Sequence, residues 1–275
     1  MKTIIVTGAN KGIGYGIVRN LIKQVKDTRV YLTARDVNRG NEAVESILKE
    51  FDGTLSNNNI LTFYQLDIDD ETTVIDFARY LNENNEKIDV LINNAGYAFD
   101  NNAPESPLEQ AQYTIKINYY GTKRVSNYLI PLIKDGGRIV NVCSGSGKMT
   151  ESYTQEIKNL FNNDHYTIET IDKFVEDYKK YCEPDTRAAH GYANSAYKTS
   201  KVAEIALTIL QHRLLKDRHI KAIACCPGYV DTDMSNHKGH LTIDQGAETP
   251  IFCALDANVP SGKFVEEKHV AEWIL

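Results

Sequence analysis

Short apolar runs recur along the chain and stop at small or polar residues: Ile4–Val6, Val30–Leu32, Leu61–Leu66, Ile88–Ile92, Arg138–Val142 and Ile220–Ala224. Between them hydrophobic positions follow helical spacing, as in Ile17, Leu21 and Val25 or in Ala43, Ile47, Leu48 and Phe51. Continuous short runs mark strands buried on both faces, and strands alternating with helices build parallel β-α-β units. The pattern predicts an α/β fold with a doubly wound parallel sheet, covered by helices on both faces, in one domain over residues 1–275.

One interval breaks the alternation. Residues 148–190 lie between the fifth run and a helix starting near Ser195, and they hold two sets of helix-face residues: Tyr153, Ile157, Leu160 and Phe161, then Ile171, Phe174, Val175 and Tyr178. Two inserted amphipathic helices are predicted there. Asn57-Asn58-Asn59 reads as a solvated loop before the third strand, and no solenoid-length repeat or linker is evident.

Composition narrows the partners. The chain has 275 residues, 42% hydrophobic, with 31 basic and 37 acidic side chains for a net charge of −6. A fold of this size buries about three quarters of the surface its unfolded chain exposes and needs no staple. A pI near 5.7 lacks the basic footprint of a nucleic-acid binder, so a small molecule is the expected partner. Cys143, Cys182, Cys225, Cys226 and Cys253 are odd in number and lack C-x-x-C spacing, which argues against a disulfide framework or a zinc site and for a reducing compartment. The opening apolar run is too short for a signal-peptide core, and no stretch approaches the ~18 apolar residues of a membrane span. A cytoplasmic protein, without metal or membrane, is expected.

Thr7-Gly8-Ala9-Asn10-Lys11-Gly12-Ile13-Gly14 follows the first strand directly and opens a helix. Gly8 permits a tight turn, and Gly12 and Gly14 let a pyrophosphate approach backbone N–H groups at a helix N-terminus. In an NAD site an acidic residue about 20 residues on would hold the ribose 2′-hydroxyl. Arg35 stands at that distance instead, with Lys11 as a second cation, which favours a 2′-phosphate and hence NADP(H). The alternative leaves both cations in solvent and gives the ribose to Asp36. Asp67-Ile68 and Asn93-Asn94-Ala95-Gly96 end the third and fourth strands, where short polar groups bond either an adenine or a backbone turn.

Tyr197 and Lys201 stand at i and i+4, stacked on one helix face, but Tyr119 and Lys123 share that spacing. Position separates the pairs, because Ser144 ends the fifth strand upstream of Tyr197 whereas Tyr119 precedes that strand. A free phenol with a pKa near 10 is a feeble acid, and a nearby ammonium strengthens it. Ser144 can bond a carbonyl oxygen on which negative charge develops, and Tyr197 can deliver the proton.

The ordered set Thr7-Gly8-x-x-x-Gly12-x-Gly14, Asn93-Asn94-Ala95-Gly96, Asn118, Ser144, Tyr197-x-x-x-Lys201 and Pro227-Gly228 resembles the short-chain dehydrogenase/reductases, a family with a Rossmann-type sheet. The runs LTARDVNRG (32–40), QLDIDD (65–70), ACCPG (224–228) and FVEEKHVAEW (264–273) look like the monomeric NADPH-dependent carbonyl reductases of animals. The resemblance spans the chain, insertion included. It implies reduction of ketones, aldehydes or quinones, with Tyr197 as general acid, Lys201 on the nicotinamide ribose, Ser144 orienting the carbonyl and Asn118 holding a proton-relay water. It places Thr232 near the nicotinamide carboxamide. Cofactor contacts are implied at Gly8, Asn10, Lys11, Gly12, Ile13, Gly14, Arg35, Asp67, Ile68, Asn94, Ala95, Gly96, Tyr197, Lys201, Pro227, Gly228, Val230 and Thr232, and substrate contacts at Ser144, Tyr197 and Tyr229. A monomer is expected, the inserted helices covering the surface that such enzymes use to associate.

Two departures bear on the substrate. Gly145-Ser146-Gly147 follows the serine where bulky apolar residues are usual, and Tyr229 follows Pro-Gly in place of a tryptophan. The rival readings are oxidation of a secondary alcohol, as in a steroid or alkaloid dehydrogenase, and a catalytically silent NADP-binding sensor. A sensor needs only the glycine turn. Cys226, just before Pro227, is the thiol expected to face the site, with Lys201 near enough to lower its pKa.

Overall fold

The computed structural model describes residues 1–275 except Thr54, Ser56 and Asn101. In chain order the strands are β1 (Lys2–Val6), β2 (Thr28–Ala34), β3 (Ile60–Gln65), β4 (Ile88–Asn93), β5 (Ile133–Val142), β6 (Lys221–Cys226), β7 (Lys263–Glu266) and β8 (His269–Ala271). The helices are α1 (Gly12–Gln24), α2 (Val37–Glu50), α3 (Glu71–Glu83), α4 (Pro107–Ile115), α5 (Thr122–Leu129), α6 (Gln155–Asn159), α7 (Ile168–Cys182), α8 (Ala196–Leu214) and α9 (Ile243–Leu255). Among the described residues the strands form one sheet in the order β3-β2-β1-β4-β5-β6-β7-β8. Chain order reverses between β1 and β4, so the crevice for a ligand opens at their carboxyl ends. This is a doubly wound, Rossmann-type sheet.

Side chains along each strand alternate between two cores. Ile4 and Val6 pack with α1, α2 and α9, whereas Ile5 faces Val74 and Phe77 of α3 and Val125 and Leu129 of α5. Cys225 and Cys226 diverge in the same way, the first into the α1 and α9 layer, the second into the layer of α4, α7 and α8. α4 runs into α5 through a π-helical turn, Lys116–Gly121.

Three features differ from the sequence reading. β8 pairs antiparallel with β7, so the sheet is mixed at this edge, and neither short strand was marked by an apolar run among those above. The first inserted helix spans only Gln155–Asn159, although Tyr153, Ile157 and Phe161 are all buried. Asn59 is no part of a solvated loop. Its amide donates to the Ile22 and Val25 carbonyls (3.1 and 2.8 Å) and accepts from Thr28 N–H (3.2 Å), tying the end of α1 to β2.

The insertion closes on its own chain. Ile171, Phe174, Val175 and Tyr178 of α7 are buried in the layer with α4 and α8. Met149 N–H donates to the Trp273 carbonyl at 2.6 Å, binding the start of the insertion to the C-terminal segment.

Candidate active site

The glycine turn is braced by β4. Thr7, 1% exposed, accepts N–H bonds from Asn94 and Ala95 on its Oγ1 (2.9 and 3.0 Å). The Asn94 amide donates in return to the Thr7 and Gly8 carbonyls at 3.0 and 3.2 Å. Of the two roles open to Asn94, adenine or backbone, its side chain serves the backbone. Gly8 has φ +62°, and a Cβ there would lie 2.8 Å from Ala95 Cα. A Cβ at Gly14 would come within 2.6 Å of the Gly8 carbonyl oxygen. Only bare backbone fits at both positions.

Beyond the turn, α1 begins without a side-chain cap and without acidic residues in its first turn. Its leading N–H groups, those of Gly12, Ile13 and Gly14 after Asn10 and Lys11, present positive partial charge at the switch point, which fits a pyrophosphate. Thr232 packs its methyl beside Gly12, bringing the segment after Pro227-Gly228 over the turn. Val230 is buried and bridges Leu241, which fixes that segment.

Arg35 is exposed just after β2, its carbonyl held by the Gln65 amide at 3.1 Å. Asp36 is engaged elsewhere: its carboxylate caps α2, accepting Arg39 N–H at 2.9 Å. That occupation weakens the alternative in which Asp36 takes the ribose. Lys11 departs from the expected placement. Its ammonium pairs with Asp233 at 2.6 Å on the surface, so a 2′-phosphate would have to draw it away. Asp67 turns its carboxylate to Asp69 N–H at 3.0 Å, and Ile68 is buried against Gly121, its carbonyl bonded by Arg124.

The catalytic candidates converge at the carboxyl end of β5. Ser144 is extended there and accepts Ser146 N–H at 3.1 Å. Tyr197 and Lys201 project from the first turns of α8, whose Ser195 cap accepts Lys198 N–H. Lys201 Nζ lies 5.7 Å from the Tyr197 ring centroid and donates to the Val142 carbonyl at 3.2 Å. Asn118 sits in the π-helical turn with its amide paired to both backbone groups of Tyr97 (2.7 and 2.9 Å) and to Ser200 Oγ (2.9 Å). Ser200 in turn donates to the Tyr197 carbonyl at 2.8 Å within α8, so the Asn118–Ser200 bond ties the π-helical turn to the first turn of that helix. Gly96 leaves space against both Asn118 and Lys201.

Burial pushes the Tyr197 phenol above its ordinary pKa, against the opposing pull of Lys201 and Ser144. The lysine therefore acts in the expected direction without prevailing. Burial is the chief reason, and a buried carboxylate that no motif marked adds to it. Glu204, 1% exposed by side chain, holds its carboxylate 2.6 Å from Lys201 Nζ, whose own side chain is 5% exposed. An acidic residue inside the apolar run Val202-Ala203-Glu204-Ile205-Ala206 was the available signal.

Tyr119 and Lys123, the competing pair, meet on the Asp172 carboxylate at 2.7 Å each, in the packing of α7. Cys226 faces the site, but its thiol is pushed up by burial and eased by N–H groups of Gly228 and Gly145 rather than by Lys201. Lys201 acts instead on Cys143. A cavity of about 450 Å³ opens beside Tyr197, lined by Phe99, Ser146, Arg187, Asn194, Tyr229 and Met234 among others. Tyr229 is half exposed at its rim, edge-on to His240. Among the described residues no group of three or more His, Cys, Asp or Glu side chains is placed to hold a metal ion, and no helix is long and apolar enough to cross a membrane.

A reversed parallel sheet with a glycine turn at its switch point, and a Ser, Tyr and Lys set beside it, defines a nucleotide-dependent oxidoreductase architecture, and the family profile described as short chain dehydrogenase matches residues 2–155. The chain belongs to the short-chain dehydrogenase family. It is 40% identical to carbonyl reductase 1 (NADPH) of Pongo abelii, covering 99% of each chain, and 40% identical to that of Homo sapiens, covering 98% of this chain and 97% of the other. Salutaridine reductase from Papaver somniferum superposes with a TM-score of 0.83 at 31% identity, over 96% of this chain and 99% of that one.

Proposed function

We propose that this protein is an NADPH-dependent carbonyl reductase of ketones, aldehydes or quinones. The observation that carries the reading is the meeting of Ser144, Tyr197 and Lys201 at the carboxyl end of β5, with Tyr197 lining a cavity, on the same edge of the sheet as the uncapped N-terminus of α1. NADPH supplies the hydride when bound. Gly12, Ile13 and Gly14 would hold its pyrophosphate and Arg35 its 2′-phosphate, with Lys11 recruited from Asp233. Ser144 Oγ fixes the carbonyl oxygen, and the Tyr197 hydroxyl donates its proton to that oxygen as charge develops there. Asn118 keeps Tyr97 and Ser200 in register around the lysine.

The relatives named above carry carbonyl reductase and NADPH in their names, which supports the cofactor and the reaction. Ser146, Asn194 and Arg187 give the cavity polar walls, which favours substrates with a polar periphery over flat apolar quinones. NADPH consumption against quinones, isatin-like diketones, aldehydes and steroids tests the activity. Absence of turnover with every class, together with intact NADPH binding, would favour the sensor reading instead.

We also read the protein as monomeric, because α7 spends its apolar face on α4 and α8 of its own chain. Five free, buried cysteines suit a reducing compartment such as the cytoplasm.

A further inference from the structure

The buried pair Lys201–Glu204 is the least expected contact of the site. Nζ lies 2.6 Å from Oε2, the Thr122 hydroxyl donates to Oε1 at 3.2 Å, and the Val142 carbonyl takes a second lysine proton at 3.2 Å. A carboxylate this deep is strongly disfavoured if unpaired, so the ammonium is the reason it is tolerated. The same ammonium is the group whose charge acts on the Tyr197 hydroxyl.

We propose that Glu204 is a positioning residue that restrains Lys201 and tempers the charge Tyr197 feels, setting the pH range over which the phenol keeps its proton. The inference rests on the reading of Tyr197 as proton donor.

The electrostatics run in the required sense. Burial disfavours the ammonium of Lys201, but Glu204, followed by Tyr197 and Cys143, raises its pKa on balance. Burial raises the Glu204 carboxyl, opposed by Lys201 and Thr122. For Tyr197, burial is the largest cause of its rise, Lys201 and Ser144 oppose it, and Glu204 and Cys226 add to it. The other ionisable groups facing this trio are Cys143 beyond the end of β5 and Cys226 at the end of β6, with Thr122 of α5 and Ser144 contributing hydroxyls. Without the carboxylate, Lys201 acts on the phenol uncompensated, and the phenol gives up its proton at lower pH. Reduction needs the protonated phenol, so its alkaline limb moves down with it.

The test compares Glu204→Gln, nearly isosteric, and Glu204→Asp, which keeps the charge while disturbing the packing, with the unmutated protein. Two quantities are read: the pH profile of kcat for carbonyl reduction, and an ultraviolet difference titration of tyrosinate in the cofactor-free protein, each variant against the same variant carrying Tyr197→Phe. In Glu204→Gln both midpoints should fall by about half a pH unit or more, as expected on removing a close charge, while Glu204→Asp stays near the unmutated profile. Coincident profiles for Glu204→Gln and the unmutated protein, or equal displacement by Gln and Asp, would refute the inference. If Tyr197→Phe alone kept full turnover, the parent assignment would fall instead. Should Glu204→Gln not fold, the Asp variant decides, since a midpoint displaced as far as half a unit would mean that packing rather than charge governs the phenol.

Discussion

Replacing Thr7 by Val tests whether the glycine turn is held from β4. The two side chains are nearly the same shape, but Val lacks the Oγ1 that accepts the Asn94 and Ala95 N–H groups at 2.9 and 3.0 Å. A buried donor left without its acceptor costs about 1–3 kcal/mol. Both donors here are partly buried, so the lower half of that range applies, giving about 2–4 kcal/mol for the pair. Thr7→Ser keeps the acceptor and loses one methyl, for about 1 kcal/mol. Equilibrium urea unfolding reads the stability. NADPH titration reads the turn itself, because Asn94 also braces the Thr7 and Gly8 carbonyls and should no longer hold them in place. Thr7→Val should weaken NADPH binding about tenfold, equivalent to 1.4 kcal/mol, with Thr7→Ser close to the unmutated protein. Equal stability of Val and the unmutated protein, or a loss in Ser as large as in Val, would refute the bracing role.

Three further outcomes are expected. Tyr197→Phe should lose about 10²-fold or more in turnover with NADPH binding retained, whereas Tyr119→Phe should keep turnover, its hydroxyl being bonded to Asp172; steady-state rates and cofactor titration distinguish them. Arg35→Asp should lower NADPH affinity and leave NADH unaffected or improved, and equal kinetics with the two cofactors in the unmutated protein would remove the 2′-phosphate assignment. Light scattering should give a mass near 31.0 kDa rather than twice that value.

The parts of the fold legible in the sequence are those whose burial is symmetrical. β1, β2 and β4 face helices on both sides, so each has an unbroken apolar stretch, Ile4–Val6, Val30–Leu32 and Val90–Ile92, that stands out as a run. β7 and β8 are short, and β8 is an edge strand with exposed His269 and Val270, so no run marks it. α8 hides its chemistry for the opposite reason. It is buried on most of its circumference, which leaves no polar stripe against which Glu204 would look misplaced. Asn94 and Lys11 show a different limit. Spacing places both at the carboxyl edge of the sheet, but which partner each takes depends on Thr7 and Asp233, brought there from distant parts of the chain.

The π-helical turn at Lys116–Gly121 sets the phase of everything after it. A helix advances about 100° per residue, so the one extra residue of a wide turn rotates α5 by that much relative to a regular continuation of α4. Before the turn, Ala111 and Ile115 point toward α7 and α8; after it, Val125 and Leu129 point toward α3 and the sheet. Deleting a single residue here would restore a regular helix and leave Val125 and Leu129 directed at their core, because the turn holds just the one residue that a regular continuation lacks. The packing of α5 is therefore expected to tolerate the loss of one residue in this stretch, and what such a loss removes is the widened backbone that carries Asn118 to Tyr97 and Ser200.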